Sequence, residues 1–293
     1  MQSMICSTPL IQNTSLMNIN DINCCLFSLL KSYIGGAIYI EKRYGLLSIK
    51  QSEFRRCSAE DCGGAIRISF DYGGIEIERI LGCQCHCNWM GQFLSCSFRN
   101  NQLSNNISHI CIYECSLIKK TGFFSVTLKD SNIDVIYMNS TRNFVKNRVS
   151  SLYLDSFVSK TIRNSYIMNN YAEDSICIAF KGEGCGTIDQ CAVINNTQGN
   201  ERLGLLFCSG NCFLQLKDSD FVSYGVEAVF VAYYGVIVLE NCFYTSTHNI
   251  STPIEIKRFK REPFMYSMSN FLSYTDWIHY LNTPCLFCNG ISK

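Results

Sequence analysis

The sequence predicts an all-β protein, a single-stranded, right-handed parallel β-helix in which each coil stacks on the one before it. Three observations favour this fold. Segments that open with small or apolar residues return every 24 to 31 residues, apolar and polar residues alternate inside them, and helical patterns are scarce. Without helices of about ten or more residues, such units do not form βαβ crossovers. We expect about nine coils at a strand spacing of about 4.8 Å.

The clearest repeat is the pair of segments GGAIYI (35–40) and GGAIRI (63–68). A phosphate-binding loop would need a following helix and a Lys-Ser/Thr pair, which are missing here. We expect the glycines to turn the chain before each strand, since glycine accepts a left-handed backbone. The glycines concerned are Gly35, Gly36, Gly63 and Gly64. We expect Ile38 and Ile66 to stack one above the other in the core.

Later segments keep the same period. Alternating apolar residues predict strands in SLYLD, ICIAF, FLQLKD and VIVLE. Paired asparagines follow three predicted strands, within 98–101, 167–170 and 193–196. Because asparagine tolerates the left-handed conformation better than most residues, each pair is expected to end a strand and bend the chain.

A second ladder, with the pattern small-x-apolar, runs in step with the first. Its regularly spaced members are Ser165, Cys191, Ser219, Cys242 and Ser269. Its earlier members are Ser52, Cys96 and Ser131. Their irregular gaps indicate loops of variable length between residues 70 and 150. Since serine and cysteine interchange along this ladder, we interpret its cysteines as small packing groups rather than reactive ones.

The repeats divide the chain into three parts. We predict an N-terminal cap or first coil over residues 1–34, β-helix repeats over 35–272 and a C-terminal cap over 273–293. Within the last part, SYTDWIHYL (273–281) predicts a short helix, because a serine or threonine can cap its first turn.

The segment SEFRRCSAEDCGGAIRI (52–68) resembles the repeat of right-handed parallel β-helix proteins with a pectin-lyase-like fold. It is particularly similar to the GGAI repeats of chlamydial polymorphic outer membrane proteins and of protist surface proteins. Two units carry this resemblance, and the remainder of the chain matches by period and pattern. The resemblance implies a surface or secreted protein that acts in adhesion. Such proteins usually carry a signal peptide and an anchor, which the sequence does not show.

The pectin-lyase-like fold also hosts polysaccharide lyases and glycoside hydrolases. Asp218, Asp220 and Glu240 are the best acidic candidates; we expect both aspartates to face outward from one strand, with Glu240 one coil later. The paired-aspartate and basic motifs of those hydrolases are missing. Asp218 also falls in a row of polar residues, whose other members are Gln51, Asn164, Gln190 and Asn241. We therefore favour a protein that is not an enzyme.

The densest group of potential metal ligands is CQCHC. On a strand Cys83, Cys85 and Cys87 share one face and His86 lies on the other, which does not give a tetrahedral site. A second candidate, CLFC (285–288), lacks the second ligand pair of a zinc site and the βαβ setting of a redox motif. We expect neither a metal nor a cofactor.

Composition excludes several other classes. The chain of 293 residues is 47% hydrophobic with a net charge of +1, which is too apolar for disorder and lacks the basic surface of a nucleic-acid binder. No run of about 18 apolar residues predicts a membrane-spanning helix. The 19 cysteines are odd in number, which argues against a complete disulfide framework.

We therefore expect a non-enzymatic β-helical scaffold for adhesion or interaction, with a protein or a glycan as its partner. The alternative is a carbohydrate-active enzyme of the same fold, and a second alternative is a fragment without selected function. The sequence does not fix the compartment, although the resemblance favours the cell surface or the extracellular space.

Overall fold

In a computed structural model the chain forms a parallel β-solenoid of about seven turns, which confirms the fold class. Every secondary-structure element within the described residues is a β-strand. The turn count is slightly lower than the nine expected. The predicted helix at 273–281 lies outside the described residues. The structure describes residues 4–6, 8, 10–13, 19–99, 103–116, 123–130, 132–146, 149–173, 177–199, 204–223, 229–245 and 254–259.

The strands are short, apart from two that are each 18 residues long. In chain order they are β1 (Met4–Cys6), β2 (Leu10–Asn13), β3 (Ile19–Asn23), β4 (Cys25–Ser28), β5 (Lys31–Ser32), β6 (Ile38–Arg55), β7 (Ser58–Ala59), β8 (Ile66–Cys83), β9 (His86–Cys87), β10 (Met90–Phe98), β11 (Ser104–Tyr113), β12 (Phe124–Lys129), β13 (Asn132–Thr141), β14 (Phe144–Val145), β15 (Val149–Asp155), β16 (Lys160–Arg163), β17 (Tyr166–Met168), β18 (Tyr171–Ala172), β19 (Ile178–Lys181), β20 (Gly184–Asp189), β21 (Ala192–Ile194), β22 (Thr197–Gln198), β23 (Leu206–Ser209), β24 (Cys212–Lys217), β25 (Asp220–Val222), β26 (Phe230–Tyr233), β27 (Val236–Tyr244) and β28 (Ile254–Phe259).

Each turn presents three strand faces, which we call A, B and C in chain order, and all their pairings are parallel. Face A stacks β2, the start of β6, the start of β8, β10, β12, β15, β19, β23 and β26. Face B stacks β3, the middle of β6 and β8, the first halves of β11 and β13, β16, β20, β24, the start of β27 and β28. Face C stacks β1, β4, the ends of β6, β8, β11 and β13, β17, β21, β25 and the end of β27.

The interior of the solenoid is filled by the side chains at every second position of each strand, because alternate side chains of a strand point inward. Ile38 pairs with Ile66, and Ile66 pairs with Leu94 in the following turn; all three side chains are fully buried. Each such side chain contributes roughly 1.5–3 kcal/mol through removal from water. Stacking of like residues also brings Phe27 and Phe54 into ring contact, with centroids 4.7 Å apart.

Left-handed residues form the two sharp corners of each turn. Between faces B and C they are Cys24, Gln51, Arg79, His109, Tyr137, Asn164, Gln190, Asp218 and Asn241. Between faces C and A they are Leu29, Arg56, Gln84, Glu114, Arg142, Asn169 and Asn195. The polar row noticed in the sequence is thus a column of B–C corner residues, whose backbone bends away from the strand.

The two GGAI segments use their glycines in two different ways. Gly35 and Gly63 are left-handed, with φ of 60° and 65°, so they turn the chain as expected. At Gly36 a Cβ would collide with the carbonyl oxygen of Gly64, and at Gly64 it would collide with that of Gln92. The second glycine of each pair therefore permits the close approach of neighbouring turns rather than making the turn.

The small-residue ladder is only partly regular. Ser165, Cys191, Ser219 and Cys242 each follow a B–C corner and are fully buried. Ser219 Oγ accepts a hydrogen bond from the Cys191 backbone N–H at 3.0 Å. Cys96 does not belong to this column, because it pairs with Ile68 on face A. Between Ser52 and Ser165 the column holds larger residues, so a general size requirement does not hold; these are Ile80, Ile110 and Met138. Ser131 and Ser269 lie outside the described residues.

A buried column of asparagines follows the C–A corner. Asn169 and Asn195 are left-handed, as their sequence position predicts. The second asparagine of each pair, Asn170 or Asn196, points inward and is fully buried. In earlier turns the same column holds fully buried cysteines, and they are Cys57, Cys85 and Cys115. The sequence pattern for the third pair falls on Asn100 and Asn101, which lie outside the described residues.

Candidate functional site

The two candidate catalytic aspartates do not lie together on one outward-facing surface, so that expectation was wrong. Asp218 is the left-handed corner residue, and its carboxylate accepts a hydrogen bond from Asn241 Nδ2. Asp220 lies in β25 and is buried, with 2% of its surface exposed. The corner at Asp218 breaks the strand, and in β25 the next residue, Phe221, belongs to the core, so Asp220 is buried on the opposite side of that strand.

Glu240, the third acid, belongs to a row of alternating charges on the outside of face B. Arg163 pairs with Asp189, Asp189 with Lys217, and Lys217 with Glu240. Opposite charges on neighbouring strands contribute roughly 0.2–1 kcal/mol per pair. Burial raises the pKa of Asp189, and the nearby Asp218 carboxylate raises it further. The three candidate acids thus occupy a corner, a buried position in β25 and a charged row.

The CQCHC cluster is folded around a corner. Gln84 is left-handed, so Cys83 ends face C while Cys85 begins the next column. All three cysteines are buried and His86 is half-buried. Burial raises the pKa of the Cys87 thiol to about 12. In the part of the chain that the structure describes, no three His, Cys, Asp or Glu side chains are placed to hold a metal ion. The CLFC segment lies outside that part.

The third kind of corner, between faces A and B, carries exposed apolar side chains in the later turns. We call this surface the corner strip, and it consists of Phe157, Val158, Cys185, Phe213, Tyr233 and Tyr234. Phe157 and Tyr234 expose 67% and 70% of their surface. Side chains of this size that remain exposed in one region often mark an interaction site.

Neighbouring turns make the corner strip continuous. Gly184 lies against the backbone of Phe157 and Val158. Cys185 then pairs in register with Phe213. The carbonyl oxygen of Tyr234 accepts a hydrogen bond from the backbone of residue 211 at 2.6 Å, which joins the last turn to the one before it. The strip therefore follows the solenoid axis across successive turns.

Charged and aromatic groups define the edges of the corner strip. Tyr233 and Tyr234 pack with their ring centroids 4.5 Å apart at one end. Lys181 and Glu183 are both exposed. They lie at the A–B corner of the turn that comes between the turn of Phe157 and the turn of Phe213. An apolar surface with a polar rim is the usual composition of a protein interaction site.

Beneath the corner strip the interior contains a charged side chain. Lys160 of β16 points inward and is fully buried. Its Nζ donates hydrogen bonds to the carbonyl oxygens of Ser156 at 2.5 Å, Lys181 at 3.0 Å and Glu183 at 3.4 Å. Loss of solvent lowers the pKa of Lys160. The three carbonyls belong to the A–B corners, so the lysine links two turns from inside.

Two buried thiols accompany this lysine. Cys208 is the second-last residue of β23 and Cys212 begins β24, and both are almost completely buried. Cys208 Sγ donates a hydrogen bond to the Cys212 carbonyl oxygen at 3.3 Å. The hydrogen bond between the two thiols lowers the pKa of Cys212 and raises that of Cys208, and the charge of Lys160 lowers both.

Neither the corner strip nor the lysine–thiol cluster was predicted from the sequence. The lysine–thiol cluster consists of Lys160, Cys208 and Cys212. One signal was available, because the alternation in CFLQLK places Leu214 and Leu216 inward and therefore Phe213 outward. Recognising that Phe157 and Tyr234 share its surface requires the register between turns. A lysine at an inward position has no sequence signal of its own, since its neighbours in β16 alternate as in any other strand.

Comparison of the chain with protein-family models, with curated proteins and with solved structures finds no match. The fold defines the class of protein as a parallel β-solenoid rich in cysteine. None of these comparisons supports the resemblance to pectin-lyase-like and polymorphic outer membrane proteins, which stays a prediction from the GGAI segments. Among the described residues no helix is long and apolar enough to cross a membrane.

Proposed function

We propose that this protein is a non-catalytic β-solenoid scaffold that binds a protein partner through the corner strip. The observation that carries the proposal is the alignment of exposed apolar side chains along one corner of consecutive turns. A solenoid repeats its surface along one axis, so a partner can engage several turns at once. A surface or secreted location, which the GGAI resemblance implies, remains part of this proposal.

The composition of the corner strip favours a protein over a glycan. Phe157, Val158 and Phe213 have no hydrogen-bonding group on their side chains, whereas glycan recognition needs polar groups beside each aromatic ring. Apolar and aromatic side chains with a polar rim are typical of the buried centre of protein interfaces. The enzyme alternative has less support, because the candidate acids occupy three separate settings.

A peptide library displayed on phage, selected against the purified chain, tests the proposal. We expect ligands rich in apolar residues whose affinity falls about tenfold or more in the double variant Phe157→Ser/Phe213→Ser, since loss of a central aromatic contact costs about 1–2 kcal/mol or more. Calorimetry of the same ligands is expected to give a negative heat-capacity change on binding.

The matched control is Tyr33→Ser, which removes an exposed aromatic residue with 68% of its surface accessible near a different corner. This variant should bind the selected ligands like the unchanged chain. Ligands that bind the double variant equally well would contradict the assignment of the surface. Binding to a glycan array that is lost in the double variant would instead replace the protein partner by a carbohydrate.

A further inference from the structure

The lysine–thiol cluster has features that core packing alone does not require. Inward positions of face B otherwise hold mostly apolar residues, such as Ile162 and Ile188. A buried ammonium group in such surroundings is costly unless polar or anionic groups compensate it. Three backbone carbonyls provide part of this compensation. Gly184, the residue after Glu183, pairs in register with Cys212, so a thiolate at Cys212 would provide a nearby anionic partner.

The two cysteines are also arranged for reaction with each other. Only the turn of residues 209–211 separates them, and Cys208 Sγ lies 3.3 Å from the Cys212 carbonyl oxygen. Cys208 and Cys212 both carry free thiols in this structure. Gly235 packs over the pair, because a Cβ at this glycine would lie 3.0 Å from Cys208 Sγ. A single glycine next to Tyr234 thus separates the sulfur from the corner strip.

We propose that Cys208 and Cys212 form a reversible disulfide and that Lys160 activates Cys212 as the attacking thiolate. The oxidant is a low-molecular-weight disulfide of the glutathione class. This is a redox modification site, and it is independent of the partner that the corner strip binds.

The reaction takes two balanced steps. The Cys212 thiolate attacks one sulfur of the small disulfide, forms a mixed disulfide and releases one small thiolate. The Cys208 thiol then loses its proton, attacks the Cys212 sulfur, closes the protein disulfide and releases the second small thiolate. Two protein thiols are oxidised and one small disulfide is reduced to two thiols, which take up the protons.

Access to the buried sulfurs requires the turn between them to open. Gly210 and Asn211, which form this turn, are both exposed and left-handed, with φ of 79° and 60°. Turns of this kind on a solenoid corner open with less free energy than the stacked strands. We therefore expect oxidation to be slower than that of an exposed thiol such as Cys185.

Differential alkylation followed by mass spectrometry measures this reaction on the full chain. Trypsin cleavage after Arg202 and Lys217 gives a peptide of residues 203–217 that contains Cys208, Cys212 and no other cysteine. After incubation with oxidised glutathione, we expect this peptide to carry an internal disulfide that dithiothreitol reverses. If the peptide stays doubly alkylated while Cys185 is modified, the proposed disulfide is excluded.

Two variants test the roles of the individual residues. Cys208→Ser should accumulate glutathione on Cys212, because the second attack is lost. Lys160→Met should slow oxidation about threefold, since loss of the lysine charge raises the pKa of Cys212 and lowers its thiolate fraction, and the greater nucleophilicity of the more basic thiolate offsets part of this loss. Equal rates in Lys160→Met and the unchanged chain would contradict activation by the lysine. Circular dichroism checks that both variants keep their strands. The alkylation experiment on the unchanged chain tests the disulfide even if a variant does not fold.

Discussion

Asn170 donates a hydrogen bond from its side-chain Nδ2 to Oδ1 of Asn196, 3.0 Å away in the next turn. Its own Oδ1 accepts from Nδ2 of Asn143 at 3.0 Å and from the Asn143 backbone N–H at 2.9 Å. One buried amide therefore satisfies polar groups in the turns on both sides. Such a column stabilises the stacking of turns where an apolar side chain would leave backbone groups without partners.

We expect Asn170→Ala to lower the free energy of unfolding by about 3 kcal/mol, because it leaves buried donors and acceptors of two neighbouring turns without partners. Asn169→Gly, one residue earlier, keeps the left-handed corner and should change stability by less than about 1 kcal/mol. Urea unfolding followed by circular dichroism measures both. Similar losses in the two variants would show that the ladder contributes no more than the corner.

The second glycine of the GGAI segment is predicted to tolerate no side chain. Gly64→Ala places a Cβ against the carbonyl oxygen of Gln92, and backbone on both sides prevents relaxation. We expect a loss of about 3 kcal/mol or more, since separating two packed turns also disturbs their buried contacts. Ser48→Ala, an outward-facing change on face B, should stay within about 0.5 kcal/mol. Thermal unfolding of both variants is the measurement, and equal melting temperatures would contradict the expectation.

The fold could be predicted because the repeat interval and the period-two alternation both reflect the stacking of strands. The prediction failed where a left-handed residue interrupts the alternation. Such a residue uses one position of the sequence without continuing the strand, so the inward and outward sides change places after it. Beyond the Asp218 corner, Ser219 and Phe221 therefore fill the interior, and Asp220 is buried on the other side of β25. Cys96 failed for a related reason, since variable loops hid its place on face A.

Buried polar residues account for the rest of what the sequence did not show. The sequence pattern treats asparagine as a turn residue, which holds for Asn169 but not for Asn170. The two are adjacent and chemically identical, but Asn169 forms the left-handed corner and Asn170, which follows it, points inward. Lys160 is a similar case, because its position is visible only once face B is aligned with its neighbours.

The candidate acids lead to a prediction about catalysis. We expect no lyase or hydrolase turnover on a panel of acidic and neutral polysaccharides, because Asp218, Asp220 and Glu240 are not placed as a pair of acids on one open surface. Reducing-sugar and unsaturated-product assays measure this. Turnover that disappears in Asp218→Asn and in Asp220→Asn, but persists in Glu240→Gln, would support the enzyme alternative.

Buried thiols predict a loss of stability in alkali. Burial raises the pKa of Cys177 and Cys191 to about 12, against 9.0 for the ordinary thiol. Above pH 9 the folded chain therefore holds protons that the unfolded chain has released, so the free energy of unfolding falls as pH rises. Below pH 9 both states are protonated, and this stabilisation is fully present. Each thiol contributes a slope of about 1.4 kcal/mol per pH unit.

Urea unfolding between about pH 8 and pH 11 measures this slope. Cys191→Ser is the matched variant, because Ser165 and Ser219 occupy the same column in the turns on either side. A hydroxyl does not titrate in this range. The slope of the free energy of unfolding against pH should therefore be smaller in the variant by the contribution of one thiol, about 1.4 kcal/mol per pH unit. At neutral pH the variant should keep most of its stability. An unchanged slope in this variant would mean that Cys191 ionises in the folded chain as readily as in the unfolded one.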